Sequence, residues 1–384
     1  MTRGNGIVRK DGATEYLDMG AVHFRRIELV ASLSEHVGYK AGLALTRERL
    51  ASLLDPNIED GLVIGDDNDM LRVRAEEYDE YLCKLLYEVG NIRSPDSMPS
   101  IFGLYRKFEK DKRLFPIYLA VQDLFNRYCE ECYNSDAGPI DGNKFVELAL
   151  AQFGPDGLDV AIAIAECVVE DMHKSSLADM RRVDWRDVAD LEALFRSESL
   201  KTPHGEFFDQ RFIDYLSRNF GTIDQINWRK FEGLTCEFFH RLGLYVEIGK
   251  GRDDGNIDAR IWQKKNARKR PPLILVQCKR EKDAVGKVVV KALYADVEFE
   301  KAKLGLIVTS SALEPGARKV CLARSYPVRE ANRDTLKTWI AAMRTPYSGI
   351  FLGERLLRDR RLQFHRLGHV LEHRLLLLLP IVLS

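Results

Sequence analysis

The sequence predicts an α/β protein: a mixed sheet flanked by helices in the C-terminal half, preceded by a mainly α-helical N-terminal region. Three observations predict it. NWRKFEGLTCEFFHRLGLYVEIG (227–249) places Phe231, Leu234, Phe238 and Leu242 at helical spacing, then turns at Gly243 into a strand-like run. IDARIW (257–262) and LILVQCK (273–279) are short apolar runs of strand length. Upstream, from about residue 25 to 197, apolar residues recur with a helical period, interrupted by Pro116, Pro139 and Pro155.

Taken in order, residues 25–43 and 46–54 read as two helices. GLVIGDDNDMLRVR reads as a hairpin, with Leu62–Ile64 and Leu71–Val73 around a polar turn at Asp66–Asp69. AEEYDEYLCKLLYEV is a further helix. Helix, helix, hairpin is the order of a winged helix. Its acidic tip would repel phosphates, so packing or contact with a protein partner is the competing role. DDNDMLRVRAEE lacks the sixth-position glycine of a calcium loop and is not an EF-hand. KFVELALAQF and DGLDVAIAIAECVVEDM read as buried helices. These elements divide into a helical, winged-helix-like region over 1–100 and a second helical region over 101–200.

SESLKTPHG is the expected linker, and HGEFFDQRFIDYLSRNF (204–220) a helix leading into the C-terminal domain over 201–345. There Asn227 is the expected N-cap of the next helix and Gly243 its stop. Glu232 lies near the helix start, whereas Glu237, one turn on, falls on the flank. Asp258 opens one strand; Gln277 and Lys279 close the next and, two residues apart, point the same way. If these strands pair as a hairpin, Asp258 lies beside them. A carboxylate, an amide oxygen and an ammonium on one rim suit a divalent ion and a water directed at a phosphate. Singly, each residue has a plain structural reading: a solvated strand edge, a turn cap, an acid favourable to the helix dipole. Their ordered combination points to the chemistry.

That order resembles the Mrr-like restriction endonuclease family, within the PD-(D/E)xK nuclease group in its QxK variant. The matching blocks are Phe231-Glu232, Asp254-Gly255-Asn256-Ile257-Asp258, Gln277-Cys278-Lys279 and GLIVTSSALEPGA (Gly305 to Ala317). They span roughly residues 225–330. Asn256 stands where the family usually has glycine, and asparagine tolerates positive φ. The resemblance implies a restriction-endonuclease-like core and a hydrolase that cleaves phosphodiesters in DNA, with restriction or defence against foreign DNA as its setting. It implies Glu232, Asp258 and Gln277 as metal ligands, joined by the Cys278 carbonyl, and Lys279 as the residue that orients the attacking water. Magnesium is the implied metal, with manganese as substitute, since the ligands are all oxygen. Lys250, Arg252 and Arg280 are the expected DNA contacts, with Gly249 and Gly251 letting the backbone approach a phosphate. Two alternatives stand beside it: a catalytically silent nuclease fold that binds DNA or regulates, and an enzyme like a Holliday-junction resolvase.

Composition sets the remaining bounds. The 384 residues allow two or three domains. Fifty-eight Lys and Arg balance fifty-eight Asp and Glu, so affinity for DNA must come from local patches. KKNARKR (264–270), between the two motif strands, is either such a patch or a solvated turn; it joins the strand ends opposite the active rim. The start, MTRGNGIVRKDG, has no apolar stretch behind it, and no bilayer-spanning run is expected. Seven cysteines without a secretory signal read as reduced, cytoplasmic thiols. Cys129 and Cys132 read as two helix positions, and Cys278 as a small core hydrophobe facing away from Gln277 and Lys279. Oligomeric state stays open between monomer and homodimer. No lysine follows Lys337, and 346–384, with His365, His369 and His373 at four-residue intervals, reads as an appendage.

Overall fold

The computed structural model describes residues 7–8, 14–15, 21–54, 61–134, 140–176, 184–251 and 257–344. The chain forms two compact units, Met1–Ser97 with Met172–Ala189, and Met98–Asp171 with the chain from Asp190 onward. The histidine stripe at 365–373 and the 346–384 appendage lie outside the described residues.

In the first unit, β1 (Ala21–Arg25) runs straight into α1 (Arg26–Ala41). After α2 (Arg47–Leu53), β2 (Met70–Arg74) runs straight into α3 (Ala75–Glu88). The two strands pair antiparallel, Ala21 opposite Arg74 and Arg25 opposite Met70. Leu29, Leu33, Leu50, Leu82 and Leu86 fill the core between the helices. The expected hairpin at 62–73 is therefore corrected: Met70–Arg74 pairs with the upstream strand, and Leu62–Ile64 is not a strand. The reason is side-chain competition for backbone acceptors. Arg26 Nε donates to the Gly61 carbonyl and Arg47 Nε to that of Val63, both at 2.9 Å, so this stretch is held by two arginines instead of a ladder. The helix–helix–hairpin order of a winged helix is absent among the described residues.

The second unit contains α4 (Ser100–Glu109), α5 (Phe115–Asn134) and, up to Asp171, α6 (Gly142–Lys174). Phe108, Tyr118, Val121, Phe145 and Val146 form their core. Gly154, at φ +67, breaks α6 next to Pro155, where the two expected helices meet. By length and composition α6 could cross a membrane, which the sequence was not expected to contain. Its side chains at Phe145, Val146, Ala149 and Ile164 are buried in this core, as in the core helix of a packed domain.

From residue 209 the chain builds a helix-flanked sheet. The elements are α7 (Gln210–Arg218), α8 (Trp228–Arg241), β3 (Tyr245–Ile248), β4 (Ala259–Trp262), β5 (Ile274–Lys279), α9 (Lys287–Glu300), β6 (Leu304–Thr309), α10 (Pro315–Ala323), β7 (Val328–Ala331) and α11 (Arg333–Met343). The sheet order is β7-β6-β5-β4-β3. β3, β4 and β5 are antiparallel neighbours, while β5, β6 and β7 are parallel, so the sheet is mixed as expected. β6 is buried along its whole length, consistent with its apolar run and its place between β5 and β7. Phe238 of α8 stacks on Trp339 of α11 with ring centres 4.1 Å apart.

The segment before this domain is packed, contrary to its expected role as a linker. Trp228 Nε1 donates to Glu198 (3.2 Å), the Asn227 amide to the Leu194 carbonyl (2.9 Å), and Lys230 Nζ to the Ser199 carbonyl. Glu237 is 2% exposed, not on a flank. Its Oε2 accepts from the amides of Glu206, Phe207 and Phe208 at 2.9, 2.8 and 3.3 Å, and Oε1 accepts from Arg241 Nε at 2.7 Å. Those three amides are thereby held out of helical pairing, and the helix expected over 204–220 starts only at Gln210, capped by Asp209.

Candidate active site

Local chemistry marks both ends of α8. The Asn227 side chain accepts from the Arg229 amide at 2.8 Å, starting the helix as expected, and Gly243 ends it at φ +80. Glu232 then falls on the second turn, with Phe231 and Leu234 buried beside it. Asp258 is fixed by its own backbone: its amide donates to the Val276 carbonyl and its carbonyl accepts from the Gly249 amide. The β4–β5 register pairs Ala259 with Val276, and continuing it sets Asp258 beside Gln277. Asp258 Oδ2 also accepts from the Cys278 amide at 2.5 Å. The D-G-N-I-D turn is described only from Ile257; Arg252 and Asp254–Asn256 lie outside the described residues.

Glu232, Asp258, Gln277 and Lys279 come together on one cleft of about 190 Å³, with Trp228 and Phe231 in its wall. Burial, and next the neighbouring Asp258 carboxylate, push Glu232 up to about 8; the adjacent Arg229 guanidinium opposes the shift. Gln277 is 4% exposed, and its buried Oε1 has no hydrogen-bond partner among the described residues. An orphaned buried acceptor costs stability, and this one lies beside two carboxylates in the cleft. Lys279 is half-buried and forms no ion pair among the described residues. Among the described residues no three His, Cys, Asp or Glu side chains are grouped to hold a metal. Two carboxylates that repel each other, next to an unpartnered amide oxygen, instead form a hard-oxygen donor set.

Cys278 is placed much as expected, with one addition. Its side chain does face away from Gln277 and Lys279, reaching Thr235 Oγ1 of α8 at 3.6 Å, but it also lines the cleft. Burial and then Asp258 hold its thiol well above its usual range, so it is not a thiolate. Arg280 Nη1 donates to the carbonyls of Asp224 (3.2 Å) and Ile226 (2.8 Å), which commits that edge of the guanidinium to the loop ahead of α8. Lys250 is exposed beyond β3. The basic run 264–270 forms a short 3-10 turn at the β4–β5 tip, away from the Asp258 end, and Arg268 Nε pairs with Glu247 there at 2.8 Å.

The Thr/Ser turn after β6 has a structural use. Ser310 Oγ donates to the Glu281 carbonyl (2.8 Å) and Ser311 Oγ to that of Asp283 (2.6 Å). These bonds pin the stretch that leaves Lys279. Sequence reasoning missed two residues here. Arg229 donates to Glu232 Oε2 at 2.6 Å and to the Gly249 carbonyl at 2.7 Å, and Trp228 forms a wall of the cleft. The N-cap assignment placed both on the first turn of α8, but nothing local showed what they would face.

A mixed five-stranded sheet flanked by helices thus brings Glu232 of α8 to one cleft with Asp258, Gln277 and Lys279 at the strand ends. Residues 223–340 match the restriction endonuclease family Mrr_cat, so this segment is an Mrr-like restriction endonuclease domain. Among solved structures, the chain is similar to the MspJI restriction endonuclease in complex with a 27-mer oligonucleotide, at 19% identity and a TM-score of 0.26. That similarity covers 38% of this chain and 34% of the other, so the chain spans about a third of that protein. No curated protein matches.

Proposed function

We propose that the protein is a divalent-metal-dependent DNA endonuclease acting in restriction of foreign DNA. The observation that carries this reading is the buried, unpartnered Gln277 Oε1 beside the Glu232 and Asp258 carboxylates, with the Lys279 ammonium on the same strand end. Asp258, Gln277 and Glu232 would hold magnesium, or manganese in its place. When bound, the ion supplies Lewis-acid polarisation of the scissile phosphate and lowers the pKa of a water. The Cys278 amide holds Asp258 in place through its 2.5 Å bond. Lys279 orients the attacking water and balances the charge that grows on the phosphate. Lys250 contacts the DNA backbone, and Arg252 is assigned the same role. Arg280 supports them by fixing the loop ahead of α8. The Mrr_cat match supports the assignment to restriction. The region upstream of the domain selects which DNA is cut, and the location is cytoplasmic.

The test is incubation of the purified full chain with methylated and unmethylated plasmid in magnesium, manganese, calcium or excess chelator. Cleavage in magnesium or manganese, lost with chelator and in Asp258→Ala, is the expected result. Calcium accepts looser geometry and activates water less, so it should support binding without cutting. Cleavage at full rate in chelator, or by Asp258→Ala, would sink the assignment.

A further inference from the structure

Arg229 stands on the first turn of α8, three residues ahead of Glu232. The two form a 2.6 Å ion pair whose side chains are only 13% and 7% exposed. The other guanidinium nitrogen donates to the Gly249 carbonyl at 2.7 Å, at the start of the loop that carries Lys250. The loop also packs against this arginine. Gly251 is at φ +89, and a Cβ there would come within 3.1 Å of Arg229 Nη1 and 3.0 Å of the Trp228 ring. A planar fork that reaches two acceptors at fixed angles is what distinguishes arginine from lysine.

We propose that Arg229 is a built-in countercation of the cleft, which occupies Glu232 until a divalent ion arrives, sets the metal concentration the site requires, and ties the Gly249–Gly251 loop to α8. This rests on the metal-holding role of Glu232 proposed above. A divalent ion approaching Glu232 and Asp258 meets a fixed positive charge already bonded to one of the two carboxylates. In a cleft this buried the repulsion is weakly screened, and the ion pair must be shared or surrendered before Glu232 is available. Arg229 has somewhere to remain when it does so, because the Gly249 carbonyl still accepts from it. Arg229 thus acts as a positioning residue. It lowers resting affinity for the metal while holding two mutually repelling carboxylates together in the metal-free protein.

The experiment measures Mn2+ binding by the full chain without DNA, from the electron paramagnetic resonance signal of free Mn2+, at fixed pH. Wild type is compared with Arg229→Met, Arg229→Lys and Asp258→Ala. Removing the competing charge should tighten Mn2+ binding about tenfold in Arg229→Met. Arg229→Lys keeps the charge and should stay within about twofold of wild type. Both variants should be cut faster by trypsin after Lys250, because neither side chain spans Glu232 and the Gly249 carbonyl. Arg229→Gln carries the same expectations as Arg229→Met if methionine prevents folding, as judged by circular dichroism. Unchanged or weaker Mn2+ binding by folded neutral variants, with Asp258→Ala impaired, overturns the countercation role alone. Equal binding by wild type and Asp258→Ala overturns the metal site and this inference together. Trypsin cleavage at the wild-type rate in both variants overturns the tie to the loop.

Discussion

The helical region Ser100–Asp171 and the sheet domain from residue 209 bury different kinds of side chain. The first closes around Leu104, Phe108, Tyr118, Val121, Phe145 and Val146. The second has an apolar core too, at Leu275, Val290, Leu293 and Ile307, but it also buries Glu232, Glu237, Gln277 and Lys230. Buried apolar groups stabilise wherever they pack, whereas buried polar groups stabilise only when fully partnered. Within α8 the contrast is sharper still. Glu237 accepts from three backbone amides and Arg241, while Glu232, five residues earlier, is pressed against a second carboxylate. One glutamate holds the fold and the other strains it. What the difference teaches is that two buried glutamates on one helix can serve opposite ends, according to whether their neighbours are donors or a second carboxylate.

The largest effect should come from removing the site itself. Asp258→Ala and Lys279→Ala should each lower plasmid cleavage about 10³-fold or more, with the far-ultraviolet circular dichroism spectrum unchanged. Because Asp258 also accepts from the Cys278 amide, its alanine variant should lose about 1–2 kcal/mol of stability; Lys279→Ala should lose less. Wild-type cleavage by either variant would erase the distinction between the two kinds of burial.

Glu237→Ala tests the opposite side of the comparison. It strands three amides and Arg241, and should destabilise by about 2–4 kcal/mol in urea unfolding. Activity per folded molecule, assayed well below the unfolding midpoint, should survive. If activity is lost while stability is kept, Glu237 belongs to the site.

Gln277 separates stability from function in a single residue. Gln277→Leu removes an acceptor that has no partner, so stability should change by less than about 1 kcal/mol or rise, while cleavage collapses. Gln277→Glu should keep part of the activity, since it offers an oxygen at the same reach. A leucine variant as active as wild type would mean the side chain holds no ion.

The smallest expected effect is a pH dependence. Burial and the Asp258 carboxylate raise Glu232 against the pull of Arg229, so above its unfolded range the folded chain keeps part of a proton that the unfolded chain has lost. Stability of the metal-free protein should therefore fall as pH rises from about 5 to 8, a slope that Glu232→Gln should remove. Urea midpoints across that range, in chelator, provide the check; parallel slopes for the two proteins would place Glu232 outside the strained pair.

Much of the fold could be read in the chain because its causes are local. The Asn227 cap, the Gly243 stop and the apolar spacing of α8 lie within a few turns of one another, and the strands at 259–262 and 274–279 are bounded runs. The order of Glu232, Asp258, Gln277 and Lys279 along those elements was enough to bring them to one cleft. By itself, then, the sequence determined α8, the strands that follow it and the order of the polar residues they carry. Only the tertiary structure decided which polar groups find partners. Ala21–Arg25 displaced the expected hairpin partner of Met70–Arg74, because Arg26 and Arg47 claim the carbonyls of Gly61 and Val63. Glu237 left the flank because the amides of 206–208 fold over it, and Arg229 met Glu232 and Gly249 together only once β3 lay against α8. Hydrogen bonds between segments distant in sequence depend on where packing brings each donor and acceptor, and no periodicity encodes that.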